Sequence, residues 1–230
     1  MLVVGRVLRS AVAVVAVAAF AGCSSDESPD PDTTPISLNS MRAALLTAAD
    51  IGPTWQAPAA SAEAGQLVSL CGADTEPAQA PGSPEMVSAP LSDEGTKGVQ
   101  SLTQHALVYP DADQAATALA TLLALAADCP PSVERPAKTG DREEPAYTET
   151  ASTKPLDQEN WTGFVTLRNR QYDKAHPATA DVAVVALSRS NVVLIDQYAI
   201  YRLGTSDASA NPQFSADWPK LVATTLKRVD

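Results

Sequence analysis

The chain has 230 residues, of which 27 are acidic and 16 are basic, and its formal net charge is −11 at pH 7. Such a negative chain without a basic stripe disfavours a nucleic-acid partner, because the phosphates would be repelled. The length suits one domain of ordinary size, and an acidic surface also keeps an exported domain soluble.

The N-terminal segment has the three parts of a bacterial secretory signal. Arg6 and Arg9 precede a short apolar run, and two small residues then lead directly to Cys23. The apolar run is too short to cross a bilayer as a helix, which takes roughly 20 residues. We therefore predict that residues 1–22 are a lipoprotein signal peptide and that Cys23 is the lipidated first residue of the mature chain.

One feature departs from the usual lipoprotein pattern. Phe20 stands three positions before the cysteine, where an aliphatic residue is usual. The alternative interpretation is an ordinary cleaved signal peptide in which Cys23 has no special role. Lipidation at Cys23 would place the protein on the extracytoplasmic face of the cell membrane, with the membrane itself as a partner through the lipid anchor.

Residues 23–37 are acidic and rich in serine and proline, and almost none of them is apolar. A segment of this composition cannot bury enough surface to fold and is predicted to be a disordered, extended tether. The folded domain is predicted to span residues 38–230.

Lipidation would consume the thiol of Cys23 and leave Cys71 and Cys129. An exported chain meets oxidising conditions, so this remaining pair is predicted to form one disulfide. The loop of about 58 residues would stabilise the fold by up to roughly 4 kcal/mol. The alternative is two separate buried thiols. Neither cysteine has another cysteine or a histidine at ligand spacing, so we predict no metal site.

Three helices are predicted from periodicity and capping. The first spans residues 40–49 with Ser40 as its cap. The second follows the cap Asp111, and Asp217 caps the third, with Pro219 in its first turn. The predicted apolar stripe of the second helix comprises Ala115, Ala116, Leu119, Leu122, Leu123, Ala126 and Cys129.

Strands are predicted where apolar residues alternate between turn signals. Residues 66–71 form a short strand candidate, a long loop covers residues 72–98, and a further loop covers residues 130–160 with one edge strand around 147–152. The clearest strands are residues 99–109, 161–170, 181–188 and 191–202. Arg189 and Ser190 form a tight hairpin turn, with Asn191 able to take a positive φ. The order of elements predicts a single α+β domain, an antiparallel β-sheet packed with helices.

Three segments of the chain resemble the family of the extracellular sensor domain of the kinase PknH and related actinobacterial lipoproteins. They are ALLTAADIGPTW at residues 44–55, LVYPDADQAA at 107–116 running on to Cys129, and SRSNVVLIDQ at 188–197. The resemblance implies an antiparallel sheet packed with helices around a cleft, and sensing or binding of an unidentified ligand. The family domain has two disulfides where this chain can form one, and Ala126 stands where a tryptophan is common. The resemblance carries over no ligand-contacting residue.

The sequence gives little support to an enzyme. Ser-x-x-Lys, Gly-x-Ser-x-Gly, His-Glu-x-x-His, Cys-x-x-Cys and phosphate-binding glycine loops are all absent. His105 lies within a strand, where a structural role is the expected one. His176 lies in a loop with Asp173 and Asp181 nearby in sequence, so it could act as a general base.

Two carboxylate pairs offer acid–base or calcium chemistry in principle. One, Glu143 with Glu144, belongs to a charged loop, and the other, Asp111 with Asp113, belongs to a helix cap. We predict no catalytic residue, no metal ligand and no cofactor.

The favoured function is a non-catalytic ligand-binding or sensor-like domain for an unidentified small molecule, lipid or envelope protein, with its binding residues unknown. The alternative is a protein-interaction or assembly lipoprotein of the cell envelope, favoured by the two long loops. A hydrolase is the least supported class.

Overall fold

The structure, a computed structural model, describes residues 34–58, 66–72, 75, 78–95, 98–139, 144–204 and 211–229. The predicted signal peptide, Cys23 and most of the predicted tether lie outside these residues. The helices are α1 (Leu38–Ala44), α2 (Ala48–Ile51), α3 (Ala112–Ala127) and α4 (Pro212–Lys227). The strands are β1 (Glu85–Gly95), β2 (Gly98–Val108), β3 (Ser132–Arg135), β4 (Tyr147–Gln158), β5 (Trp161–Tyr172), β6 (Ala178–Arg189) and β7 (Val192–Leu203).

The seven strands form one antiparallel sheet in the order β1-β2-β7-β6-β5-β4-β3. Because side chains alternate along a strand, each strand sends every second residue to each face of the sheet. In β7, Leu194 and Ile195 are both fully buried although they point to opposite faces. The sheet is therefore covered on both sides, and the predicted α+β fold with one antiparallel sheet is confirmed.

Helices from opposite ends of the chain cover one face. α1 packs on β1 and β2, and α4 packs on β7 and against α1. Their shared core includes Met41, Leu102, Trp161, Leu194 and Leu226.

The other face is covered by α3, which contacts β5, β6 and β7. Its core includes Leu107, Leu122, Phe164, Val184 and Ile195. The molecule thus has three layers, with the sheet between α3 and the group of α1, α2 and α4. No helix among the described residues has the length and apolar character needed to span a membrane.

The N-terminal helical region differs from the prediction in its start and its continuity. Ser37 caps α1 by accepting the backbone N–H of Ser40, the residue that was predicted to be the cap. Thr47 then begins α2 with a capping box to Asp50, so the predicted single helix is two short ones. Residues 34–37, which were assigned to the tether, contact the folded domain: Ser190 donates its hydroxyl to the carbonyl of Thr34.

The C-terminal helix begins earlier than predicted. Asn211 accepts the backbone N–H of Gln213 and caps α4, so Asp217 lies inside the helix and Pro219 lies in its interior. The predicted start was wrong because the buried stripe of α4 already begins at Phe214, about one turn before Asp217.

The sequence pattern missed the polar strands β1 and β3 and the second half of β4. β1 lies within the predicted loop 72–98, and β4 runs six residues beyond the predicted edge strand to Gln158. β3 pairs only with the first four residues of β4, so Pro155 lies where β4 is itself an edge and needs no ladder N–H on that side. Residues 66–71 are not a strand; only Gln66 makes a bridge, to Gln79.

Two local details were also predicted wrongly. In the turn between β6 and β7, Ser190 has φ 52° in place of Asn191. In α3 the buried residues are Ala115, Ala118, Leu122 and Ala126, whereas Leu123 is 45% exposed. Cys129 follows the C-cap residue of α3 and is half-buried.

Candidate functional site

The α3 face of the sheet is covered by two different parts of the chain. α3 packs on the half that lies nearest to the turn between β6 and β7. Residues 66–72, called here the 66–72 segment, cover part of the other half, with Leu67 and Leu70 buried in the α3 core. The structure joins Cys71 to Cys129 as predicted, so the disulfide fastens this segment to the end of α3.

A cavity of about 440 Å³ lies between the 66–72 segment and the sheet. We call it the arginine cavity. Its charged side chains are Glu149 of β4 and Arg168 and Arg170 of β5. Ala180 and Val182 of β6 are apolar. The neutral polar side chains are Gln197 of β7 and Thr103 and His105 of β2.

Arg170 is fully engaged by its neighbours. Its Nε and Nη2 donate to Oε2 of Glu149 at 3.2 and 3.1 Å, and its Nη1 donates to Oε1 of Glu144 at 2.7 Å. The guanidinium also stacks 4.1 Å above the ring of Tyr147. Charge-assisted hydrogen bonds and cation–π contact of this kind fix both the position and the charge of an arginine.

Arg168 lies on the same face of β5, two residues away, and is satisfied far less well. Its side chain is 5% exposed, and its Nη1 lies 3.8 Å from Oε1 of Glu149, beyond hydrogen-bond distance. Its Nε and Nη1 have no hydrogen-bond partner among the described residues. Burial lowers the pKa of Arg168, with Glu149 opposing that effect. A buried cation with unused donors is costly for the fold and marks a place where an added acceptor would be stabilised.

A glycine brings the 66–72 segment close to this pair. Gly72 has φ +141°, which L side chains rarely adopt, and a Cβ there would collide with Oε1 of Glu149 and lie 3.4 Å from Nη1 of Arg168. Only glycine fits at this position without moving the carboxylate. In the sequence Gly72 directly follows the disulfide residue Cys71, but no sequence pattern linked this glycine to Arg168.

His105 lies at the edge of the arginine cavity nearest to β1. Its Nδ1 is 2.7 Å from Oγ of Ser88. Burial lowers the pKa of His105 to about 4, so the ring is neutral at pH 7 and adds no charge to the cavity. Among the described residues no carboxylate is hydrogen-bonded to this serine–histidine pair, and a nucleophile would need that third group to orient its base.

The structure separates His176 from one of its two candidate partners. His176 is exposed, and its Nδ1 lies 3.0 Å from Oδ1 of Asp173 three residues before it. Asp181 is buried, accepting from Asn169 at 2.7 Å and lying 3.5 Å from Nη2 of Arg202. The local pair of His176 and Asp173 is a solvated turn contact.

The described members of the two carboxylate pairs include a helix cap and an ion-pair partner. Asp111 accepts the backbone N–H of Gln114 and caps α3. Glu144 binds Arg170, whereas Glu143 lies outside the described residues. No cluster of three metal-ligating side chains occurs in the described part of the chain.

A second, apolar groove of about 590 Å³ lies at the C-terminal end of α3. Its lining residues include the exposed Leu123, the disulfide residue Cys129, and Pro131, Pro155 and Phe164. Among the described residues, Lys154 is the one charged side chain that lines this groove.

No family model and no curated protein matches this sequence. Among solved structures, the extracellular domain of PknH from Mycobacterium tuberculosis is similar, with a TM-score of 0.52 and 15% sequence identity. The match covers 86% of this chain and 98% of that domain. This chain has the fold of the PknH extracellular domain. The fold expected from the resemblance in sequence is therefore confirmed, and at this identity the fold is what the two proteins share.

Proposed function

We propose that this protein is an extracytoplasmic lipoprotein whose folded domain binds a small ligand without catalysis, in the manner of a sensor domain. The observation that carries the proposal is the arginine cavity, in which Arg168 is buried and its Nε and Nη1 have no hydrogen-bond partner among the described residues. Cavities of a few hundred cubic ångströms with a few convergent polar groups are typical small-molecule sites. The fold supports the proposal because a domain of the same fold is extracellular.

The proposed anchor is Cys23, reached through the acidic tether. Ser190 and Asn191 bind the backbone of Thr34 and Ile36, so the chain joins the domain at the turn between β6 and β7. Ala180, in the floor of the arginine cavity, lies about 30 Å from that turn at the rise of an extended strand. The attachment of the proposed tether and the arginine cavity therefore lie towards opposite ends of the strands.

Filling the cavity tests this function. The full chain is extracted from membranes in mild detergent, and native mass spectrometry measures any bound molecule. We expect a bound molecule in the wild type and in Ala116→Trp, which changes an exposed position of α3. Ala180→Trp should remove it, because the indole would occupy the cavity. A chain without any bound molecule, or a molecule retained in Ala180→Trp, would contradict the proposal.

The non-catalytic part of the proposal has its own test. His176→Ala should leave ligand binding unchanged, because this side chain lies in solvent and its Nδ1 pairs with Asp173. Turnover of an ester, peptide or glycoside substrate that disappears in His176→Ala would overturn it.

A protein-interaction or assembly function is the second candidate. It is favoured by the apolar groove at the end of α3, where Leu123 is 45% exposed. Leu123→Asp would then abolish cross-linking to a partner in the envelope while leaving the molecule in the arginine cavity in place.

A further inference from the structure

The chemistry of the arginine cavity narrows the class of ligand. We propose that the cavity binds a small monocarboxylate with an apolar body, whose carboxylate pairs with Arg168. This inference rests on the proposed ligand-binding function and specifies which molecules that function selects.

The first argument is the hydrogen-bonding deficit of Arg168. Arg170 already holds Glu149 through two nitrogens and Glu144 through the third. Both of these nitrogens bind Oε2 of Glu149, while Oε1 lies 3.8 Å from Nη1 of Arg168, beyond hydrogen-bond distance. Arg168 thus keeps two nitrogens without hydrogen-bond partners among the described residues. A ligand carboxylate offers two coplanar oxygens to a planar guanidinium, the geometry that gives the strongest ion pairs.

The second argument is the local charge. The two arginines are balanced by Glu149 and Glu144, and His105 is neutral at pH 7. A ligand with one negative charge would form an ion pair with Arg168 and would be repelled by Glu149 nearby. A phosphate monoester with nearly two charges would meet the same carboxylate at greater cost, because like charges at this separation repel strongly away from water. The charge balance favours a monoanion.

The third argument is the wall next to the arginines. Arg170 faces Ala180, and Arg168 faces Val182, across the β5–β6 pairing. Leu67 and Val68 of the 66–72 segment line the same cavity. Beyond β6, the floor continues for about 10 Å across β7 to β2 at ordinary strand spacing, and no further charged side chain among the described residues lines it. The ligand is thus charged at one end and apolar along its body.

Three probes with the same alkyl chain separate the effect of the head group. Calorimetric titration of the full chain in detergent at pH 7 compares octanoate, octanol and octyl phosphate. We expect octanoate to bind most tightly, with octanol and octyl phosphate at least about tenfold weaker, as expected for the loss of one charge-assisted pair.

Arg168→Met tests the named residue, because it keeps the length of the side chain and removes its charge. We expect it to weaken octanoate binding at least about tenfold and to leave octanol binding unchanged. Arg42→Met, at an exposed arginine of α1, is the matched control and should change neither. If Arg168→Met fails to fold, Arg168→Lys keeps the charge, loses the planar pair of donors and should weaken octanoate binding severalfold.

Four results would overturn the inference: no binding of octanoate, equal binding of octanol, tighter binding of octyl phosphate, or unchanged octanoate binding in a folded Arg168 variant. These results are distinguishable from failure of the proposed function. A neutral or cationic molecule that co-purifies with the wild type and is lost in Ala180→Trp would refute the carboxylate and keep the ligand-binding domain. An empty cavity in every preparation would refute both.

Discussion

Two buried titratable residues, one on each face of the sheet, have opposite effects on how the free energy of unfolding changes with pH. Asp196 faces α4 and is 2% exposed, and its two oxygens lie 3.4 Å from Nε2 of Gln104. Burial raises the pKa of Asp196 to about 7. On the other face, burial lowers the pKa of His105 to about 4.

The signs follow from proton counting. Between about pH 4 and 7 the folded state holds a proton on Asp196 that the unfolded chain has lost, so this residue makes the free energy of unfolding fall as pH rises. Between about pH 4 and 6.5 the unfolded chain holds a proton on His105 that the folded state lacks. His105 therefore makes the free energy of unfolding rise over nearly the same range.

Two variants should reveal these opposing effects. Relative to the wild type, Asp196→Asn should gain about 2–4 kcal/mol in the free energy of unfolding as pH rises from about 4 to 7. Relative to the wild type, His105→Gln should lose a similar amount of the free energy of unfolding as pH rises from about 4 to 6.5. The variant has no imidazole, so its unfolded chain holds no proton at this position that is lost over this range. Urea unfolding at several pH values measures both. Curves that run parallel to the wild type would contradict the assigned pKa values.

At the scale of elements, the disulfide positions the 66–72 segment. It closes a loop with a sequence separation of 58 and attaches a segment without regular structure to the end of α3. Replacing both cysteines by serine should lower the free energy of unfolding by about 2–4 kcal/mol and the melting temperature by about 5–10 °C.

The same variant should also bind octanoate less tightly, because Leu67 and Val68 would no longer be held over the sheet. Reduction of the wild-type protein should reproduce both effects, and the reductant should not affect the double variant. Unchanged stability together with two titratable thiols in the unreduced, unfolded wild type would contradict the disulfide.

The strands show where sequence patterns succeed and fail. β5, β6 and β7 were predicted within a few residues because they are covered on both faces and rich in apolar residues. β1 and the second half of β4 were missed because they lie towards the edges of the sheet, where polar residues and Pro90 or Pro155 are tolerated. Their pairing is decided by the neighbouring strand and not by their own composition.

At the scale of the whole molecule, the proposed anchor at Cys23 would hold the arginine cavity outside the cell membrane. The mature chain should partition with membranes and carry diacylglyceryl on Cys23. Cys23→Ser should release the protein or stall its processing, whereas Ser24→Ala should leave both unchanged. Fractionation and intact mass measure the result, and an unmodified chain in the soluble exported fraction would refute the anchor.

The sequence by itself determined the class of fold, the second helix and the three best strands, and it predicted the pairing of Cys71 with Cys129. These depend on local periodicity, on capping and on the number of cysteines, all of which are properties of the linear chain. Alternation along β5 even placed Arg168 on the same face as Phe164. Only the tertiary structure decided that Phe164 lies under α3 and Arg168 under the 66–72 segment, because a strand's period specifies which side chains share a face and not what covers them. The arginine cavity arises where a segment distant in sequence is brought over that face.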